Sequence, residues 1–116
     1  MKQYVLLLTF MIFGLFTNAQ SPCKDGLCVV QYNAEWNAAK SVTWLGDLTE
    51  CKIKEIDIAK DAAAASKYKI VVVPTIVIYN NGEEVKRFQA NIMMEMEATI
   101  KDVQSAIDEV QMEESW

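Results

Sequence analysis

Two of the three cysteines in this chain stand close enough in sequence to do thiol chemistry together. Cys23 and Cys28 enclose four residues, Lys-Asp-Gly-Leu. Their Asp-Gly turn can bring the two Cα atoms within the roughly 4.4–6.8 Å that a disulfide requires. The pair is either a structural disulfide, a staple that holds the N-terminal segment to the first strand, or a redox-active pair. We favour the staple, because no helix begins after either cysteine to depress a thiol pKa.

The third cysteine leaves the pairing open. Cys51 begins a predicted strand beside the one that Cys28 begins, so a Cys28–Cys51 bridge is a geometric alternative. Three cysteines allow three single bridges, and each leaves one thiol over. A buried, unpaired Cys51 would behave as a small apolar residue, whereas an exposed, unpaired Cys23 could pair with another molecule. Cys23, Cys28 and Cys51 are the candidate thiols for any oxidoreductase chemistry.

The composition excludes several other chemistries. The 116 residues contain no histidine, which removes Ser-His-Asp and Cys-His catalysis and histidine zinc sites. Three cysteines cannot form a four-cysteine zinc site, and the four glycines are too scattered for a phosphate-binding loop. We therefore expect no metal and no cofactor. The net charge of −5 also argues against nucleic acid as a partner.

The first 19 residues are typical of a secretory signal. Lys2 is followed by an apolar run of 12 residues at 5–16, and short residues precede a cut before Gln20. This run is shorter than the roughly 20 residues of a membrane span, although an uncleaved anchor is the alternative. We expect a signal peptide at 1–19 and one domain at 20–116 with net charge −6. The protein would be exported, periplasmic or secreted, and free of the membrane after cleavage.

The apolar pattern of this domain predicts the element order β-α-β-α-β-β-α. Residues 28–34 are a strand buried on both faces, because their apolar content is nearly continuous. The other predicted strands are 51–58, 70–79 and 83–90, with Asn80-Asn81-Gly82 as a hairpin turn. The predicted helices are 36–49, 59–68 and 92–112. This order predicts an α/β fold with helices on both faces of a mixed sheet.

The last predicted helix carries an apolar stripe. Its members recur at spacings of three and four residues: Met93, Met96, Ile100, Val103, Ile107 and Val110. We expect the stripe to pack on the sheet, because it continues in Ile and Val beyond the methionines. The alternative is that the methionines form an adaptable binding groove.

Several short motifs resemble those of the thioredoxin family. Ala34-Glu35-Trp36 resembles the segment before the family's active site, and Ile56-Asp57 resembles the end of its central strand. The segment from Tyr68 to Thr75, which ends in Val-Pro-Thr, resembles the family's cis-proline loop. Tyr79-Asn80-Asn81-Gly82-Glu83 resembles its hairpin. The resemblance extends from about Val29 to Val110.

This resemblance implies a thioredoxin-like α/β fold, with a four-stranded mixed sheet flanked by helices and without the family's usual first strand and helix. We expect the strand order 2-1-3-4, with strand 28–34 central, the first three strands in the sheet core and 83–90 as an antiparallel edge. The resemblance also implies a cis Val73–Pro74 bond beside a substrate groove formed by Trp36, Val73, Pro74 and Thr75. In the family this groove holds extended peptide by backbone hydrogen bonds.

The chain departs from the family at the catalytic motif. Where the family has Cys-Gly-Pro-Cys, this chain has Asn37-Ala38-Ala39-Lys40. Disulfide exchange needs a nucleophilic thiolate and a second thiol, and this segment supplies neither. Gln31 stands in place of the family's buried acid, and the segment between Trp36 and Asp57 is several residues shorter than usual. We therefore assign no catalytic residue at this motif.

Two interpretations of the function follow. The first is an exported protein-binding, peptide-binding or redox-accessory module without the standard dithiol site, whose partner is an extended peptide or a protein. The alternative is a thiol–disulfide oxidoreductase of redox homeostasis that uses Cys23 and Cys28, or Cys51. Trp36 and Trp44 either line the groove or pack a helix onto the sheet. Lys40 is either a desolvated catalytic lysine or, more simply, a solvated one.

Overall fold

The computed structural model of the chain describes residues 22–114. Its elements are strand β1 (Leu27–Asn33), two 3₁₀ helices (Glu35–Lys40 and Leu45–Asp47), β2 (Lys52–Asp57), helix α1 (Ala62–Lys67), β3 (Thr75–Asn80), β4 (Glu83–Gln89) and helix α2 (Ile100–Glu114). The expected signal peptide at 1–19 and its cleavage point lie outside the described residues. Within 22–114, no helix is long and apolar enough to cross a membrane.

The four strands form one mixed sheet in the predicted order, β2-β1-β3-β4. β1 pairs in parallel with β2 and antiparallel with β3, and β3 pairs antiparallel with β4. Every residue from Cys28 to Tyr32 is buried, because β1 is central and both of its faces are covered. The prediction of a strand buried on both faces is confirmed.

An apolar cluster covers each face of the sheet. On one face, residues of β1 and β3 pack with the 23–28 loop, with α1 and with the segment before β3: Cys23, Cys28, Val30, Tyr32, Ala65, Ile70, Val77 and Tyr79. On the other face, Val29, Ile76 and Ile78 pack against Val103 and Ile107 of α2. The two helices therefore flank the sheet on opposite sides, as the element order predicted.

The expected position of the second strand in the sheet core is wrong. β2 is an edge strand, and its residues from Lys52 to Glu55 are exposed. Among residues 22–114 only β1 pairs with β2, so the outer side of β2 faces solvent. The alternation of charged residues with isoleucine in Lys-Ile-Lys-Glu suits such an edge, because lysines at an edge disfavour pairing with another strand.

The predicted helix at 36–49 is instead two 3₁₀ helices with extended backbone between them. Ser41, which ends the first, has φ −63° and ψ 143°. The Gln31 side chain accepts a hydrogen bond from the Val42 N–H at 2.7 Å and donates to the Val42 carbonyl at 3.3 Å. These bonds occupy backbone groups that a continuous helix would use itself, and the β-branched residues at 42–43 have low helix propensity.

The predicted strand at 70–79 and the predicted last helix both begin later than expected. β3 begins only at Thr75, since Pro74 has no N–H to donate to a strand ladder. α2 begins at Ile100 rather than at 92. The Asn91 side chain accepts from the Met93 and Glu95 N–H groups at 2.9 and 3.1 Å and holds a turn there. Met93 is exposed, so the apolar stripe packs on the sheet only from Met96 to Ile107.

Candidate functional site

Asn37, at the first position of the altered motif, is a buried hydrogen-bonding residue. Its Nδ2 donates to Asn33 Oδ1 at 3.2 Å and to the Val73 carbonyl at 3.4 Å. Asn33 Nδ2 in turn donates to the Asn37 carbonyl at 3.3 Å. Asn37 therefore joins the end of β1 to the loop before Pro74. An amide cannot act as the thiolate nucleophile that disulfide exchange needs.

Lys40, at the last position of the motif, is exposed, so it is not a desolvated catalytic lysine. Its Nζ donates to the Met93 carbonyl at 2.8 Å and lies 3.6 Å from Glu95 Oε2. These contacts tie the first 3₁₀ helix to the segment before α2. Exposed ion pairs of this kind contribute little stability, so the hydrogen bond to Met93 is the firmer contact.

The structure buries three of the four expected groove residues: Val73, Pro74 and Thr75. The Val73–Pro74 peptide bond is cis. Thr75 Oγ1 donates to the Val72 carbonyl at 2.7 Å, and the Pro74 carbonyl accepts from the Ala90 N–H at 3.1 Å. These three buried side chains therefore present no free polar group to a ligand.

Four exposed apolar side chains belong to this loop or to segments that hydrogen bonds join to it. They are Trp36, Val71, Ile92 and Met93, exposed by 67, 79, 96 and 63 %. We call this set the Trp36 surface. Trp36 directly precedes Asn37, which bonds to the Val73 carbonyl, and Ile92 follows closely after Ala90, which bonds to Pro74. Clustered apolar exposure of this kind typically marks an interaction site.

The loop beside the Trp36 surface also carries backbone donors. Among residues 22–114, no backbone carbonyl accepts from the N–H groups of Val71, Val72 or Val73. Val71 is exposed and Val72 half-buried. Backbone N–H groups seek acceptors, and an extended peptide presents carbonyls at regular intervals. The loop can therefore add backbone hydrogen bonds to the apolar contacts of the surface.

The two tryptophans differ in their surroundings. Trp36 is largely exposed, so it does not pack a helix onto the sheet. Trp44 is half-buried and packs against the cluster that contains Val42 and Leu45, on the α2 side of the sheet. Only Trp36 therefore belongs to the Trp36 surface.

Gln31 is almost fully buried and has an architectural role that the sequence did not reveal. Besides its two bonds to Val42, its Oε1 accepts from Ser41 Oγ at 3.3 Å. A neutral amide cannot transfer a proton as a buried acid can. Its position in a run of buried residues was the only signal for this role, and the pattern cannot show which backbone groups the side chain binds.

Cys23 and Cys28 are joined by a disulfide, with their Cα atoms 6.3 Å apart. Cys28 is 1 % exposed and Cys23 9 %. Within the loop that they close, the Gly26 N–H donates to Asn81 Oδ1 at 2.8 Å, and the Asn81 N–H donates to the Gly26 carbonyl at 3.0 Å. The disulfide therefore closes the loop, and the two Gly26–Asn81 hydrogen bonds hold that loop against the β3–β4 turn. Its sulfurs are poorly accessible to an attacking thiolate.

Cys51 is a free, half-buried thiol on the other side of the sheet. Cys28 is opposite Lys52 in the β1–β2 register, so Cys51 lies one residue before the position that pairs with Cys28. Cys51 packs on the face of the sheet that α2 covers, whereas Cys28 packs on the opposite face. The alternative Cys28–Cys51 bridge is thus wrong. Burial raises the pKa of the Cys51 thiol, and the neighbouring Glu50 carboxylate raises it further.

Sequence reasoning also missed a buried tyrosine pair. The hydroxyl oxygens of Tyr32 and Tyr79 are 2.7 Å apart, and the Tyr68 ring lies 5.5 Å from that of Tyr32. Burial raises the pKa of both hydrogen-bonded hydroxyl groups, so they stay protonated. The hydrogen bond between the two hydroxyl groups satisfies both inside the apolar cluster that contains Cys23 and Cys28. No pattern in the sequence indicates which tyrosines form such a pair.

No cluster suited to a metal ion occurs in the part of the chain that the structure describes. Within residues 22–114, no three His, Cys, Asp or Glu side chains converge as metal ligands.

The fold agrees with comparison to known proteins. The thioredoxin family model matches residues 16–102, and the chain belongs to the thioredoxin family. No curated protein matches the sequence.

Solved structures share the fold. Schistosoma mansoni thioredoxin is 26 % identical, with a TM-score of 0.56 over 76 % of this chain and 80 % of that one. Fasciola hepatica thioredoxin is also 26 % identical, with a TM-score of 0.54 over 74 % of this chain and 82 % of that one. A mutant thioredoxin from Halobacterium salinarum NRC-1 is 21 % identical, with a TM-score of 0.56 over 73 % of this chain and 74 % of that one.

Proposed function

We propose that this protein is an exported peptide- or protein-binding module that uses the Trp36 surface and performs no dithiol chemistry at the altered motif. The observation that carries the proposal is the exposure of Trp36, Val71, Ile92 and Met93 around one buried loop. Exposing four apolar side chains together is costly in water, and the cost is recovered when a partner covers them.

The surroundings of the surface support binding rather than exchange. The thiol positions of the family hold Asn37 and Lys40, and both make hydrogen bonds that fix neighbouring segments in place. A fixed surface loses little conformational freedom when a ligand binds, which favours affinity. Among residues 22–114, no backbone carbonyl accepts from the Val71 and Val72 N–H groups, and this favours an extended peptide, because such a peptide aligns its carbonyls along the loop.

The proposal is tested by selecting peptides from a displayed random library against the protein and measuring their Kd by calorimetry. Trp36→Ala should weaken the selected peptides by about tenfold or more, as expected for an aromatic residue central to an interface. Val85→Ala is the matched control, because Val85 is an exposed apolar residue on β4 near the hairpin turn. Equal binding by the Trp36→Ala variant would contradict the proposal.

A thiol–disulfide oxidoreductase that uses Cys23 and Cys28 is the second candidate. The observation in its favour is the disulfide itself, in a chain of the thioredoxin family. Its burial argues against exchange. Alkylation and mass spectrometry across a glutathione and dithiothreitol series distinguish the two: a structural bridge titrates below about −300 mV, and an exchange catalyst between about −270 and −120 mV. Reduction of a model disulfide by the protein, abolished by Cys23→Ser, would favour the enzyme.

Export is part of the proposal, and the pattern of residues 1–19 supports it. A basic residue, a short apolar run and short residues before Gln20 are typical of a cleaved signal. N-terminal sequencing of the protein from fractionated cells tests this point. A chain that begins at Gln20 outside the cytoplasm is expected, whereas a full-length chain held in the membrane would support the uncleaved anchor.

A further inference from the structure

A cavity of about 420 Å³ lies next to the Trp36 surface, between residues 40–44 and residues 95–96. Trp44 and Met96 supply apolar parts of its lining, and Lys40 and Glu95 supply charged parts. The cavity adjoins the Trp36 surface through Lys40, whose Nζ donates to the Met93 carbonyl. A ligand lying on Met93 is therefore within reach of the cavity.

Of the two charged groups in the cavity, the Lys40 ammonium has a close hydrogen-bond partner and the Glu95 carboxylate does not. The Lys40 ammonium is 2.8 Å from the Met93 carbonyl oxygen but 3.6 Å from Glu95 Oε2. Within residues 22–114, no other cation pairs with the Glu95 carboxylate, and no hydrogen bond reaches it. The carboxylate is therefore available to a cationic ligand that approaches more closely than Lys40 does.

We propose that this cavity receives an arginine side chain of the peptide or protein that occupies the Trp36 surface, an inference that rests on the proposed function. A guanidinium stacks on an indole face and binds a carboxylate through two parallel hydrogen bonds, which matches Trp44 and Glu95. Its apolar stem lies along Met96. A lysine side chain offers neither the stacking plane nor the paired donors.

The charge of the whole chain favours the same ligand. The net charge of −5, or −6 after removal of residues 1–19, attracts a basic partner and repels an acidic one. An acidic side chain in this cavity would have to bind Lys40, but Lys40 already donates to the Met93 carbonyl. The Glu95 carboxylate would also repel an acidic side chain. Arginine is therefore the side chain whose charge, shape and apolar stem all match the lining.

The test is an NMR titration of the isotope-labelled protein at low salt with N-acetyl-arginine amide. The neutral isostere N-acetyl-citrulline amide is the matched probe. The Trp44 indole signal and the Glu95 amide signal should move with arginine, and citrulline should bind roughly fivefold to tenfold more weakly. Glu95→Gln should lower arginine binding to the citrulline level, and Lys40→Met should strengthen it by about threefold, because a competing cation is removed.

Glu97→Gln is the control variant, since it removes the same charge two residues from Glu95, outside the cavity lining. It should bind arginine as the unmodified protein does. Equal binding of arginine and citrulline, or an unchanged affinity in Glu95→Gln, would overturn the proposal. Glu95 is exposed, so its replacement leaves the core intact, whereas a Trp44 variant could fail to fold.

This inference and the proposed function fail in different ways. If library peptides bind in a Trp36-dependent manner but the arginine probe does not, the cavity proposal is wrong and the binding function stands. If the arginine probe binds Glu95 but no peptide depends on Trp36, the binding function is wrong, and the cavity recognises arginine for another purpose.

Discussion

The two ends of β1 are held by different kinds of bond. At the N-terminal end, the Cys23–Cys28 disulfide closes a loop, and Gly26 exchanges two hydrogen bonds with Asn81 of the β3–β4 turn. At the C-terminal end, the chain continues through two short 3₁₀ helices that the side-chain amides of Gln31 and Asn37 hold in place. Covalent and turn contacts fix one end, and buried side-chain hydrogen bonds fix the other.

This difference places the cysteine pair away from the Trp36 surface. Seven residues of β1 span roughly 20 Å, so the disulfide and the Trp36 surface lie about a strand's length apart. A single side chain bound at Trp36 therefore does not reach the bridge. The disulfide therefore lies at one end of β1, and the exposed Trp36 lies beyond the other end, next to the segment that aligns with the family's cysteine motif.

Removal of the disulfide should have the largest effect on stability. The Cys23→Ser/Cys28→Ser double variant should lose about 2 kcal/mol of unfolding free energy, because a loop this short restricts the unfolded chain by about that amount. Urea denaturation measures the change, and Cys51→Ser is the control. Peptide binding through Trp36 should be unaffected. A parallel loss of binding would show that the two ends are coupled.

Replacement of Gln31 tests the other end. Gln31→Met keeps a side chain of similar length but leaves the buried Val42 N–H without its acceptor, at a cost of about 1.5 kcal/mol. Hydrogen exchange should quicken at residues 41–48 and remain unchanged at Gly26 and Asn81. Faster exchange at the β3–β4 turn would contradict the assignment of separate supports to the two ends.

Replacement of Asn81 should weaken the N-terminal end by a smaller amount. Asn81→Gly retains the positive φ of 52° but loses the side-chain bond to the Gly26 N–H, so a loss of about 1 kcal/mol is expected. Asn81→Ala should lose more, because alanine is also strained at positive φ. Thermal unfolding of both variants separates the two contributions. Equal losses would mean that the backbone conformation contributes nothing.

Much of the fold could be predicted because its signals are local. The continuous apolar run of β1 and the Asn-Gly turn each indicate their structure within a few residues. The strand order followed from the family resemblance. The helix expected at 36–49 failed for a less local reason: it is interrupted where Gln31, eleven residues before Val42, binds the backbone of that residue.

The candidate site was less predictable than the fold. The sequence identified Trp36 and the loop of Val73, Pro74 and Thr75, but it could not show that the loop residues are buried and that Val71 and Ile92 are exposed. Exposure depends on packing among segments far apart in sequence. An apolar residue in a loop has the same local pattern whether it faces the core or the solvent.

The smallest predicted effect concerns Cys51, the free thiol that lies near the N-terminal end of β1 but outside the disulfide. Its raised pKa, caused first by burial and then by Glu50, means that the folded thiol ionises at higher pH than the unfolded one. As pH rises through the unfolded pKa, the unfolded chain loses its proton first, so folding stability falls slightly. Iodoacetamide should therefore alkylate native Cys51 more slowly than the urea-unfolded protein near pH 8, and Glu50→Gln should speed the native reaction. A native rate that matches the unfolded one would mean that Cys51 is a reactive thiol, and the oxidoreductase candidate would then extend to this side of the sheet.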